Sequence, residues 1–102
     1  MTHPHKDYKR ITDDIRHGMK ELRTRVPEPL KGFSALAAAA GQDGAIDRKT
    51  KELIALAIGV ATHCDGCIGF HMKELIALGA TEEEIAETLA MLVALGYLAP
   101  AS

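Results

Sequence analysis

Cys64, Cys67 and His71 stand at positions i, i+3 and i+7 of one segment, and no other residues in the sequence are so well placed for chemistry. At about 100° per residue, a helix projects all three from one face. Leu75 and Leu78 continue that face, so the three groups are expected together and partly buried. If the helix begins at the cysteine pair, its unpaired N–H groups and its macrodipole favour a thiolate, the reactive form of cysteine. His71, four residues after Cys67, is in register to take a proton from it directly or through a water. Cys64, one turn away, can close a disulfide on an oxidised Cys67 with little backbone movement.

Glu52 joins this set through tertiary geometry. The turn near Thr62 and His63 is short, so the helices on either side should pack antiparallel. At about 1.5 Å rise per residue, Glu52 and His71 then reach similar heights on facing helices. A carboxylate at the edge of an apolar run needs a partner, and His71 is the one in reach. Glu52 would orient the imidazole and raise its basicity, completing a nucleophile–base–orienter arrangement. The competing readings are specific. Glu52 could pair at the surface with Lys49 or Lys51, and the cysteines could be small buried hydrophobes. Cys64, Cys67, His71 and His63 could hold zinc, but ligands crowded onto one helical face rarely close a tetrahedron. No metal and no cofactor are therefore expected, and His63 reads as a helix-end residue bonding carbonyls.

The elements that must position these groups are helices. Of the 102 residues, 47% are hydrophobic but only 4% aromatic, and Ala and Leu far outnumber Val. That bias favours helix and nearly excludes all-β folds. Tyr8, Ile11, Ile15, Met19, Leu22 and Val26 recur at helical spacing behind a tail over residues 1–7 that is expected to be flexible, with His3 and His5 in it. Pro27 and Pro29 separate this helix from a second, which carries Leu30, Phe33, Leu36, Ala37 and Ala40 and ends at Gly41. Phe33 and the alanines from Ala35 to Ala40 are expected in close helix packing, and Met19, Met72 and Met91 as gap fillers.

Asp47 is a candidate N-cap for a third helix reaching about Thr62. Its second half, Leu53 to Ala61, is apolar on every side, which a domain this small can hardly cover alone. A fourth helix runs from near Cys64 to Gly79. Thr81 and Glu84 form a capping box for a fifth, with Ile85, Leu89, Leu92 and Val93 on one face. The expected fold is all-α: one domain over residues 1–102, about five helices in an antiparallel bundle, completed by oligomerisation.

Charge and targeting signals narrow the function classes. Twelve Lys and Arg stand against fourteen Asp and Glu, for a net charge of −2, which is no electrostatic footprint for nucleic acid. The apolar run Leu53–Ala61 is too short to span a membrane, and the polar N-terminus lacks a signal-peptide core, so a cytoplasmic location is expected. Two cysteines three residues apart are not a secreted disulfide scaffold.

Glu52, eleven residues, Cys64-Asp-Gly-Cys67, three residues and His71 together resemble the Glu-x11-Cys-x2-Cys-x3-His motif of alkyl hydroperoxidase D and its relatives, in the carboxymuconolactone decarboxylase-like superfamily. The flanking segments Asp47–Ala55 and Ala77–Ile85 are similar too, and the likeness covers about residues 27 to 98. It implies an all-helical protein forming trimers or hexamers, with the cysteine pair near a subunit interface. It implies peroxide reduction by a dithiol–disulfide cycle in antioxidant defence, recharged by a lipoyl protein or another thiol reductant. Carried over, Cys67 would attack peroxide, Cys64 would resolve, and His71 with Glu52 would relay the proton. One departure stands out: the mycobacterial-type peroxidase has His between its cysteines where this chain has Gly66. Alternative functions are a redox sensor without turnover, a metal-binding module, or decarboxylase-type activity, whose branch lacks the cysteine pair.

Overall fold

The computed structural model describes residues 6–96. Its elements are α1 (Tyr8–Arg25), α2 (Pro27–Ala40), α3 (Arg48–Ala61), α4 (Asp65–Ala77) and α5 (Glu82–Ala94), so the chain is all-α over the described residues. Residues 1–5 of the expected tail lie outside the described residues. Lys6 and Asp7 are engaged: Lys6 pairs with Asp65, and the Asp7 side chain caps α1 by accepting the Arg10 N–H at 3.1 Å.

Each helix boundary has a local cause. Val26 carries no capping side chain, and Pro27 opens α2 at once, where a missing N–H costs nothing. Asp47 caps α3 through the Thr50 N–H at 2.7 Å. At the other end of the preceding loop, the Lys51 ammonium donates to the Ala40 and Gln42 carbonyls, at 2.9 and 2.6 Å, and so closes α2. Thr81 and Glu84 exchange both hydrogen bonds of a capping box at the start of α5.

The centre of the molecule is the antiparallel pair α3 and α4. Arg48 at the start of α3 pairs with Glu74 near the end of α4 at 2.7 Å, and Gly59 near the end of α3 meets Cys67 near the start of α4. Lys49 ties α3 to α5 through Glu84. Helix α1 packs on the back of α4, where two glycines admit it. A Cβ added at Gly69 would stand 2.6 Å from Thr12 Cγ2, and one at Gly66 would stand 2.5 Å from Ile15 Cδ1. Thr12 is fully buried there, its hydroxyl satisfied by the Lys9 carbonyl at 3.0 Å. Arg16 lies over the Phe70 ring at 5.6 Å, and Lys6 donates to both Asp65 carboxylate oxygens.

The apolar interior is small. Leu30, Leu56, Leu75 and Leu92 are the buried large side chains, whereas Leu36, Ile58, Ile76, Val93 and Leu95 are each more than half exposed. The close packing expected of α2 is not made within the single chain: Phe33 is 60% exposed, and Ala35 and Ala37–Ala40 are exposed as well. Met91, expected as a gap filler, and Val93, expected on the apolar face of α5 with Leu92, are also exposed in the single chain. The radius of gyration, 15.4 Å, exceeds the about 13 Å of a compact domain this long. Helical periodicity gave the stripes correctly but could not say which stripes find cover within one chain.

Candidate functional site

The site lies where α4 begins against the end of α3. Three residues, Thr62, His63 and Cys64, connect the helices, and they do so by a Schellman motif. The His63 N–H donates to the Val60 carbonyl at 3.1 Å, and the Cys64 N–H donates to the Gly59 carbonyl at 2.9 Å. The motif requires a left-handed residue at its turn, and His63 supplies it with φ of +56°. Cys64 thereby becomes the N-cap of α4, and its sulfur accepts the Cys67 N–H at 3.3 Å. The Cys64 and Cys67 sulfurs are joined as a disulfide, with the Cα atoms 5.3 Å apart.

Glu52 and His71 meet across the α3–α4 interface, as the antiparallel register requires. His71 Nδ1 lies 2.6 Å from Glu52 Oε2. With the carboxylate ionised, Nδ1 carries the proton and donates, which leaves the Nε2 lone pair free to accept one. The carboxylate is well shielded, at 15% exposure, while the imidazole is one-third exposed. The rival partners of Glu52 are occupied elsewhere: Lys49 with Glu84, and Lys51 with the end of α2. Glu52 also borders a groove of about 370 Å³ between the end of α2 and the start of α3, beside Ala38, Gly41 and Arg48.

The structure therefore brings the sequence-selected residues together in two contacts, Cys64 with Cys67 and Glu52 with His71. His71 follows Cys67 by one helical turn, the spacing at which side chains on a helix are neighbours, about 5–6 Å between Cβ atoms. Both cysteines and His71 are half-buried. His63 differs from the reading as a carbonyl-bonding helix end. Its backbone makes the turn, while its side chain is exposed and bonds no carbonyl among the described residues. Sequence reasoning also missed Gly59, Gly66 and Gly69, which set how closely α3 and α1 approach α4. Small residues spaced three apart in Gly66 and Gly69 were the available signal.

The described residues thus form an all-helical chain with a Cys-x-x-Cys disulfide at the start of α4 and a Glu–His hydrogen bond across the α3–α4 interface. The chain belongs to the carboxymuconolactone decarboxylase family, whose model matches residues 27–102. Among solved structures, it is similar to the apo form of a carboxymuconolactone decarboxylase family protein from Legionella pneumophila. That match has a TM-score of 0.85 and 53% identity, covering 87% of this chain and 80% of that one. It is also similar to a family protein from Thermotoga maritima for which involvement in an antioxidative response has been suggested. There the TM-score is 0.71 and the identity 33%, over 83% of this chain and 73% of that one.

An uncharacterized protein of Haemophilus influenzae is 42% identical over 68 residues. The match takes in 67% of this chain but only 60% of that protein's length. An uncharacterized protein of Cupriavidus necator is 34% identical over 90 residues, 88% of this chain and 80% of that protein. Helix α1 lies before the matched family region. Among the described residues, no helix is long and apolar enough to cross a membrane.

Proposed function

We propose that this chain is a thiol-dependent peroxidase or disulfide oxidoreductase of antioxidant defence, working in the cytoplasm through a Cys64–Cys67 dithiol–disulfide cycle. The observation that supports the reading most strongly is the 2.6 Å Glu52–His71 hydrogen bond one helical turn from a cysteine pair that forms a disulfide. Glu52 fixes the imidazole with its proton on Nδ1, so Nε2 can take the Cys67 thiol proton. The Cys67 thiolate attacks the terminal oxygen of a peroxide. A sulfur–oxygen bond forms, the oxygen–oxygen bond breaks, and the alcohol or water leaves with the proton held on His71. Cys64 then attacks the sulfenic sulfur of Cys67, expelling water and forming the disulfide. A dithiol reductant, free or carried on a lipoyl protein, returns both cysteines to thiols. Two electrons pass from the reductant to the peroxide in each cycle.

The working form in this reading is a homo-oligomer, a trimer or hexamer. Its support is the exposed apolar surface of α2, α3 and α5, with Phe33, Leu36, Ile58 and Val93 open in a single chain. The experiment that tests the chemistry is thiol titration of the reduced protein after one equivalent of peroxide. Loss of both thiols to an intramolecular Cys64–Cys67 disulfide is expected; two thiols still titratable would refute the peroxidase reading.

A further inference from the structure

Among the described residues, His63 is the only non-glycine with positive φ. The same Schellman motif ends α4, and there the chain uses Gly79, with φ of +75°. Its N–H donates to the Ile76 carbonyl, and the Ala80 N–H to the Leu75 carbonyl. Glycine takes this conformation without the steric penalty that a Cβ brings. The α3–α4 turn therefore needs a left-handed backbone but not an imidazole, and a strained side chain kept where glycine would serve points to use of that side chain. The imidazole is exposed, has no hydrogen-bond partner among the described residues, and directly precedes Cys64.

The two sulfurs also have different surroundings. Cys67 packs inward on Gly59, so closely that a Cβ there would lie 3.0 Å from its own, and it has His71 one turn on. Cys64 lies in the connecting segment, between exposed His63 and the start of α4. We propose that His63 is the proton carrier for Cys64 when the disulfide exchanges with a dithiol reductant. The imidazole takes the proton of the first reductant thiol, and the resulting thiolate attacks the Cys64 sulfur. A mixed disulfide forms, and Cys67 leaves as thiolate. The second reductant thiol gives its proton to Cys67 through His71 and attacks the reductant sulfur of the mixed disulfide. Cys64 leaves as thiolate and recovers the proton from His63. The dithiol is oxidised to its disulfide, and the protein disulfide is reduced to two thiols.

This inference rests on the dithiol–disulfide cycle proposed above, but not on peroxide as the oxidant. The test is the rate at which dithiothreitol reduces the oxidised protein, followed by acid quench and thiol labelling, for wild type, H63G and H63N. Both replacements accept the left-handed backbone, so the turn is kept in each, and melting temperatures report whether it is. The expected result is reduction roughly 10²-fold slower in both variants. Neither variant should melt below wild type, and H63G should melt at or above it, since glycine relieves the strain at this turn. Added imidazole should restore part of the rate in H63G. Wild-type rates in both variants, or a slowed rate that imidazole does not raise, would overturn the proposal. Peroxide consumption is a separate assay, and a wild-type protein inert to peroxide would sink the peroxidase reading while leaving this one testable.

Discussion

Gly59 of α3 lies directly against Cys67 of α4, and a Cβ at position 59 would stand 3.0 Å from the Cys67 Cβ and 3.5 Å from the Ile68 nitrogen. The contact fixes how near the cysteine pair sits to α3, and hence whether Glu52 and His71 can meet farther along the same interface. G59A gains about 1 kcal/mol of helix propensity. It loses about 1–3 kcal/mol to overpacking, because the backbone beneath Cys67 cannot rotate away. A modest fall in melting temperature is expected, and a larger one for G59V, measured by thermal unfolding of the oxidised protein. An unchanged melting temperature in G59V would mean that the helices are not so tightly held.

The Glu52–His71 pair separates charge from geometry. In E52Q a hydrogen bond to Nδ1 survives but the negative charge is gone; in E52A both are lost, and the imidazole loses its anchor. The proposed peroxide step should fall by about 10–10² in E52Q, where the base is only less well poised, and further in E52A, toward the roughly 10²–10⁴ that general acid–base catalysis supplies. Single-turnover oxidation of the reduced protein reads this directly. Equal rates in wild type and E52A would remove Glu52 from the mechanism.

The two glycines behind the cysteine pair should differ in tolerance. At Gly66 the obstacle is Ile15 Cδ1, the far end of a side chain that can change rotamer, so G66A should cost little. At Gly69 the added methyl meets Thr12 Cγ2 at 2.6 Å and the Tyr8 carbonyl at 3.4 Å, so α1 itself must shift. G69A is expected to lose about 1–3 kcal/mol, seen as a lowered urea midpoint. The order G66A above G69A in stability is the discriminating result.

Glu84 gives a pH dependence with a defined sign. The Lys49 ammonium, and then the Thr81 N–H, hold its carboxyl below the usual range, while Glu84 in turn raises the Lys49 ammonium. A carboxyl with a lowered folded pKa adds stability above its unfolded value, and that stability is lost as pH falls through the folded one. Lys49 contributes in the opposite sense: its share is present below its unfolded pKa and lost as pH rises through the raised folded value. Acid thermal melts of wild type and E84Q should converge as pH drops below the ordinary glutamate range, with wild type the more stable at neutral pH. Parallel curves at every pH would remove the pair from the stability of α5.

Much of this arrangement was readable from residue order. The helix starts at Asp47 and Thr81 follow from side chains that accept orphan N–H groups, a local rule needing no tertiary knowledge. The Glu52–His71 contact was legible because a short link forces antiparallel helices and the rise per residue then sets the register. Two things were not legible. His63 gives no sequence sign of a left-handed turn, since that position commonly holds glycine. Nor does periodicity say that Phe33 and the alanines of α2 lack a partner within the chain, because a stripe looks alike whether a neighbouring helix or a second subunit covers it.

The most direct test of the proposed chemistry is steady-state consumption of an organic hydroperoxide with dihydrolipoamide as reductant, comparing wild type with C67S and C64S. Turnover by wild type is expected, with none above background in C67S and at most a stalled sulfenic acid in C64S. Consumption by C67S at the wild-type rate, or none by fully reduced wild type, would contradict a Cys64–Cys67 peroxidase cycle.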